Sequence, residues 1–254
     1  IHDNKIIQNE IGGKIKDINE IPSPYLMGIM DKFFDDTLIP MIQSARGCPY
    51  KCAFCWEGGD YFNKIKRFDK ERLFAEMDYI ADGAKVNDLQ ITDANFGIFK
   101  EDLLTAKKVI ELQKSHNYPQ TILSATAKNH KERTIEIVEM LGDTLPATAA
   151  VQSTDEIVLN NINRGNVPLD TLMAMGKAIE KRGGQSEAEL ILCLEGDSAE
   201  KHRKTVYDML DADMKFVRMF QFMMLLGTQS ASLTNRETYG LKTKYRVLPR
   251  CFGV

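Results

Sequence analysis

Cys48, Cys52 and Cys55, in the stretch SARGCPYKCAFCWEGG (44–59), place three of the chain's five cysteines within eight positions, between Gly47 and the pair Gly58-Gly59. An odd number of thiols does not make a disulfide framework, and a chain of 254 residues needs no staples to fold. The clustered thiols point instead to metal binding or catalysis. Structural zinc wants four ligands in a closed tetrahedron, commonly as two separated pairs. No second pair exists here: Cys193 and Cys251 are isolated, and His2, His116, His130 and His202 show no ligand spacing. A four-iron cluster takes one cysteine per iron, so three cysteines leave one iron open for chemistry. A zinc site completed by a partner chain, or a chance grouping of thiols, are the bland readings of the same residues.

Such a loop needs elements that hold it. Beyond residue 38, β-prone runs alternate with segments of helical period: LIPMIQSA (38–45), DLQITDAN (88–95), QTILSATA (120–127), PATAAVQS (146–153), ELILCLEG (189–196) and KFVRMFQF (215–222). The first five each lead into a helix candidate, the pattern of repeated βαβ units with a parallel sheet. Leu73, Met77 and Ile80 form one apolar stripe behind Asp69, a candidate N-cap. Ser153 and Glu156 have capping-box spacing. Gly183-Gly184 stops the helix predicted over 171–182 after Lys181 and Arg182, which suit the negative end of its dipole. An open doubly wound sheet and an incomplete barrel both satisfy this rhythm. Either gathers ligands at the C-terminal strand ends, where the cysteine loop, TDANF, VQS and CLEGD all lie.

A formal charge of −3 and a pI near 5.9 leave no basic surplus for non-specific phosphate binding, which disfavours an unaided nucleic-acid binder. No stretch is long and apolar enough to span a bilayer, and the N-terminus has no signal pattern, so a cytoplasmic protein is expected. The absence of an initiator methionine suggests a piece of something longer. Residues 1–37, with strand-like fragments around Gly12-Gly13 and prolines at 22 and 24, read as a linker or edge hairpin. Residues 38–230 read as the catalytic unit and 231–254 as a tail. Methionine-rich segments and the basic Lys64, Lys66 and Arg67 read as core filling and solvated surface.

The cysteine loop and its setting resemble the radical S-adenosylmethionine (SAM) superfamily. Its signature is C-x3-C-x2-C after the first strand of a partial (β/α)6 barrel, with an aromatic before the third cysteine, here Phe54. The resemblance runs from residue 38 to about 230 and implies a partial (β/α)6 TIM-like barrel of parallel strands. It implies a [4Fe-4S] cluster on Cys48, Cys52 and Cys55, with SAM chelating the open iron and being cleaved reductively to a 5′-deoxyadenosyl radical. TDANF resembles the segment lying against the SAM amino group, which nominates Asp93 and Asn95; turn chemistry is their alternative. Gln152, with Arg164 twelve residues on, resembles a family pattern in which arginine suits the SAM carboxylate. A helix-end arginine is the alternative. Glu189 takes the position of an acidic residue that bonds the ribose, although Cys193 and Glu195 stand where many members have Gly and Pro. Ser124 or Thr126 faces inward on the third strand. No catalytic side chain is nominated.

LLGTQSA and the approach IPSPYLMGIMDKFFDD resemble the subset with a cobalamin-binding domain. The subset implies methyl transfer or a carbon-centred rearrangement, cobalamin held by a domain absent from this chain, a small-molecule substrate and a flavodoxin- or ferredoxin-type electron donor. A radical SAM enzyme without cobalamin, and a structural metal or Fe–S interaction module, are the competing readings.

Overall fold

Runs of β-branched residues alternate with amphipathic segments, and the strands they form run in one direction because a helix crosses back between them. The computed structural model describes residues 12–13, 15–127, 131–165, 168–170, 172–173, 176 and 186–245. In chain order its strands and helices are β1 (Met41–Ile42), β2 (Ala45–Arg46), β3 (Lys66–Arg67), α1 (Lys70–Gly83), β4 (Asp88–Phe96), α2 (Asp102–His116), β5 (Thr121–Thr126), α3 (Lys131–Leu141), β6 (Ala147–Gln152), α4 (Glu156–Asn161), β7 (Ser186–Leu192), α5 (Ala199–Asp211), β8 (Phe216–Gln221) and α6 (Leu233–Thr238).

Strands β1, β4 and β5 make one three-stranded parallel sheet, and β6, β7 and β8 another. The two meet where the Thr126 hydroxyl donates to the Thr148 carbonyl at 2.7 Å. Six parallel strands thus follow one another in chain order, the arrangement of a partial (β/α)6 barrel. Period-two alternation divides the strands. Leu89, Ile91 and Ile122 are buried in a core with Leu73, Met77 and Ile80 of α1 and Val109 and Leu112 of α2. Val151, Ala188 and Leu190 pack with Met209 and Met214 in a second core. Gln90, Leu123, Glu187 and Glu189 alternate with these buried residues and line the opposite, lumenal face. Among the described residues no helix is long and apolar enough to cross a membrane.

Three expectations need correction. The first strand, predicted over 38–45, pairs in the sheet only at Met41–Ile42, and Ala45–Arg46 leaves to form an antiparallel pair with Lys66–Arg67. The cause is Asp93, whose carboxylate accepts the Ser44 N–H at 2.7 Å and the Ser44 hydroxyl, drawing the chain away from extended pairing. The predicted Ser153–Glu156 capping box does not form either. Asp155 is the N-cap of α4, accepting the Val158 N–H at 3.0 Å, while the Ser153 hydroxyl accepts from the Asp155 N–H. Asp69 does occupy the N-cap of α1, but its side chain makes no capping bond. The fifth strand is displaced towards the N-terminus, ending at Leu192 before Cys193 and Gly196 turn the chain with φ of +67° and +77°.

The strand-like fragments before Gly12, most of the helix predicted over 171–182 with its stop at Gly183-Gly184, and His2, His130 and Cys251 lie outside the described residues.

Candidate functional site

The cysteine loop leaves β2 at Gly47, whose φ of +106° is open to glycine without cost. A Cβ there would stand 2.6 Å from the Phe62 carbonyl oxygen, so the loop's two arms approach closely at this point. Cys48 then anchors its own N–H on that same carbonyl at 3.0 Å. Cys48 and Cys52 are buried, Cys55 is partly exposed, and none of the three is in a disulfide. Ala53, between the second and third cysteines, is fixed at both ends of its peptide unit. Its N–H donates to the Ile162 carbonyl at 2.9 Å, and its carbonyl accepts from Ser230 at 3.0 Å. Phe54 packs into a small cluster with Ala53, Val158, Ile162 and Leu194, which ties the loop to α4 and to the end of β7.

Two polar side chains reach the sulfurs from opposite halves of the barrel. Asn95, at the end of β4, donates through Nδ2 to Cys48 Sγ at 3.2 Å. Arg164, just beyond α4, points Nη1 at Cys52 Sγ over 3.7 Å and Nη2 at the Ala150 carbonyl. Arg164 is 6 % exposed. That burial pushes its guanidinium below the ordinary arginine range, and the negative charge that Cys52, Cys55 and Cys48 can carry pulls it back up. The arginine is therefore not a solvated helix-end residue. Its guanidinium lies buried beside the cysteine sulfurs.

The other nominated residues divide. Gln152 is buried at the end of β6, held at φ +65° beside a register shift, and its Oε1 has no hydrogen-bond partner. Asn95 Oδ1 is likewise buried and unpartnered. Glu189 sits on the lumenal face of β7, opposite Arg218 of β8. Ser124 shares the face of Ile122, towards the helices, with its hydroxyl buried and unpartnered. Thr126 bonds across to β6. Asp93 is occupied by Ser44; burial raises its pKa, the Ser44 and Ala45 donors oppose this, and Asp102 adds to the rise.

Two features of the site escaped sequence reasoning. Trp56, the residue after Cys55, lies against Gly227, where a Cβ would collide with the indole and φ is +86°. Glu195 is fully buried behind the loop, accepting from the Ser230 hydroxyl and, at 3.5 Å, from Asn235 Nδ2. A lone tryptophan beside a cysteine and a glycine in a late turn were the available signals, but nothing in their spacing joins them.

The donor set can be tested against candidate metals. A single tetrahedral ion needs its thiolates in mutual contact around one centre, whereas a four-iron cluster engages each thiolate at a different iron and so spreads them. Among the described residues no three His, Cys, Asp or Glu side chains are arranged to hold one metal ion, the three cysteines included. Three thiols, two donors aimed at sulfur and unpartnered amide oxygens beside them fit a cluster with a polar co-ligand.

No protein-family model matches the chain. It is 32% identical over 234 residues to 2-(S-pantetheinyl)-carbapenam-3-carboxylate methyltransferase of Streptantibioticus cattleyicolor, a match covering 88% of this chain and 34% of the relative. It is 30% identical over 251 residues to the cobalamin-dependent radical SAM methyltransferase TokK of Streptomyces tokunonensis, covering 92% of this chain and 36% of TokK. The chain spans about a third of the length of both relatives. Among solved structures, the radical SAM methyltransferase TsrM of Kitasatospora setae, with cobalamin and a [4Fe-4S] cluster bound, superposes with a TM-score of 0.61 at 13% identity, covering 72% of this chain and 34% of TsrM.

Proposed function

We propose, from the premise that this chain belongs to the radical SAM superfamily, that it is the catalytic barrel of a cobalamin-linked methyltransferase acting on a small molecule. The observation that carries the reading is the pair of donors, Asn95 and Arg164, brought from opposite half-barrels onto two sulfurs of a three-thiol loop. Cys48, Cys52 and Cys55 would hold a [4Fe-4S] cluster, which would supply the electron for reductive cleavage of SAM.

The chain's own residues have separate tasks. Asn95 and Arg164 donate to ligand sulfurs, which draws charge off them and holds the loop in one shape. The unpartnered Asn95 Oδ1 and Gln152 Oε1 would accept from the N–H groups of the SAM amine. Arg164 would pair with its carboxylate, and Glu189, on the lumenal wall, would accept from ribose hydroxyls. Phe54 and its apolar cluster close the back of the loop against water. Asp93 acts through Ser44, fixing where the loop departs from the sheet. Cobalamin belongs to a part of the protein beyond residues 38–230, and an electron donor of flavodoxin or ferredoxin type completes the system.

The test is anaerobic reconstitution of the full-length protein with iron and sulfide, then metal analysis and a dithionite-driven assay for 5′-deoxyadenosine. About four irons per chain with deoxyadenosine released is the expected result, and Cys55→Ala abolishes the release while the barrel stays folded. Zinc in place of iron, or undiminished release from Cys55→Ala, would overturn the reading.

A further inference from the structure

We propose that Glu195 is a positioning residue for the iron cluster, holding the peptide between Cys52 and Cys55 through Ser230 in the shape that retains iron; the inference rests on the function proposed above. Glu195 and Ser230 are both fully buried. Glu195 Oε1 accepts from the Ser230 hydroxyl, and the Ser230 N–H donates to the Ala53 carbonyl at 3.0 Å. Ala53 stands inside the turn that the Cys55 N–H closes on the Cys52 carbonyl at 3.1 Å. Whatever fixes the Ala53 carbonyl therefore fixes how Cys52 and Cys55 are placed relative to each other. The anchor itself is firm. The Glu195 carbonyl accepts from Asn161 Nδ2 at 3.0 Å, and Gly196 turns the chain at φ +77°, where a Cβ would stand 2.5 Å from that same amide. Asn161 ends α4, and the next residue, Ile162, accepts the Ala53 N–H at 2.9 Å, so one helix end holds both Glu195 and the turn it serves.

Stability does not account for a glutamate here. Among the described residues its Oε2 is buried without a hydrogen-bond partner, and the second donor to Oε1, Asn235 Nδ2, stands at 3.5 Å. A buried polar oxygen left unpaired opposes folding. The apolar cluster of Ala53, Val158, Ile162 and Leu194 draws on the same segments of chain, so a methionine at this position would satisfy the packing at least as well. What methionine lacks is an acceptor for Ser230. A polar group that weakens the interior around it is expected where it holds a functional site in shape, and the groups behind metal ligands have that task.

The experiment uses the full-length protein, reconstituted anaerobically with iron and sulfide, as wild type, Glu195→Gln, Glu195→Met and the double variant Glu195→Met/Ser230→Ala. The melting midpoint, the rate of iron loss to a chelator and the electron paramagnetic resonance spectrum of the dithionite-reduced cluster are measured for each. Glutamine keeps an acceptor for the Ser230 hydroxyl. The double variant removes acceptor and donor together, which leaves no unpaired hydroxyl to weaken the fold, and it keeps the backbone N–H that serves Ala53. The double variant is expected to melt at or above the wild-type temperature and yet lose iron about tenfold faster, with an altered spectrum. Glu195→Gln is expected to match the wild type in both. Wild-type iron loss or an unchanged spectrum in the double variant overturns the positioning role, as does loss from Glu195→Gln as fast as from Glu195→Met. A double variant that melts well below the wild type overturns it too, because the glutamate is then a stabilising residue. Each of these leaves the radical SAM reading standing, whereas a wild type that takes up no iron removes that reading and this proposal with it.

Discussion

The two three-stranded sheets share a topology but differ in how they are covered. Around β4, Leu89, Ile91 and Phe96 are almost wholly inaccessible, packed by Met77, Ile80, Val109 and Leu112 of the overlying helices. On β8 the helix-side Met219 remains 52% exposed, and Phe216 and Phe220, on the lumenal face, are 53% and 43% exposed. Its contribution to the second core comes through Val217, packed at the margin of Ala188 and Leu190. The cysteine loop bridges this contrast. Its Cys48 end is tied to the densely packed half through Asn95. Its Cys52–Phe54 end is latched to the other half by Arg164, Ile162 and Ser230. A metal site suspended between a stiff support and a softer one has its geometry dictated by the first and its closure by the second.

Truncation on the two sides tests this contrast most strongly. Leu89→Ala is expected to lower unfolding stability by about 2–5 kcal/mol, the range for a fully buried leucine, whereas Val217→Ala, at a half-covered margin, costs roughly 1 kcal/mol or less. Urea denaturation of both variants decides it, and equal losses would erase the distinction between the halves. A smaller effect is expected at the latch. Asp155→Ala removes the cap of the helix that leads into Arg164 and should cost about 1 kcal/mol, seen as a lowered melting midpoint. The same variant should lose iron faster to a chelator than one altered in the other half with the same melting point.

The smallest expected effect concerns pH. Burial raises the pKa of Asp93 above 3.8, so the folded chain binds this proton more tightly than the unfolded chain. The associated stability is present below the ordinary carboxylate range and is lost as pH rises through the elevated value. Asp93→Asn keeps an acceptor for the Ser44 N–H and cannot ionise. Its urea midpoint should match the wild type near pH 4 and exceed it progressively towards neutrality; parallel curves would show that the carboxylate is not desolvated.

Much of the barrel was legible because it depends on local rules. Period-two runs such as DLQITDAN and the stripe of Leu73, Met77 and Ile80 carry their burial in their spacing, and the thiol loop carries its chemistry in its composition. What could not be read depends on residues distant in sequence. Ser44 loses its strand conformation to Asp93, 49 positions away, and Asp155 takes the cap from Ser153 because the latter's hydroxyl is turned towards Thr205 and the Asp155 N–H. Glu195 looked like a departure from a loop pattern. Its burial against Ser230 and Asn235 makes it the point where the last segment of the chain is fastened behind the thiols.

Trp56 is the chain's only tryptophan, and it adjoins Cys55 with its ring over Gly227. Every photon of indole emission from these 254 residues therefore originates at one spot on the rim of the thiol loop. A chromophore assembled on the loop would drain that emission by energy transfer, and any shift of the 225–228 turn would change the solvent seen by the ring. The chain thus carries a built-in optical gauge whose brightness reports occupancy and whose colour reports closure.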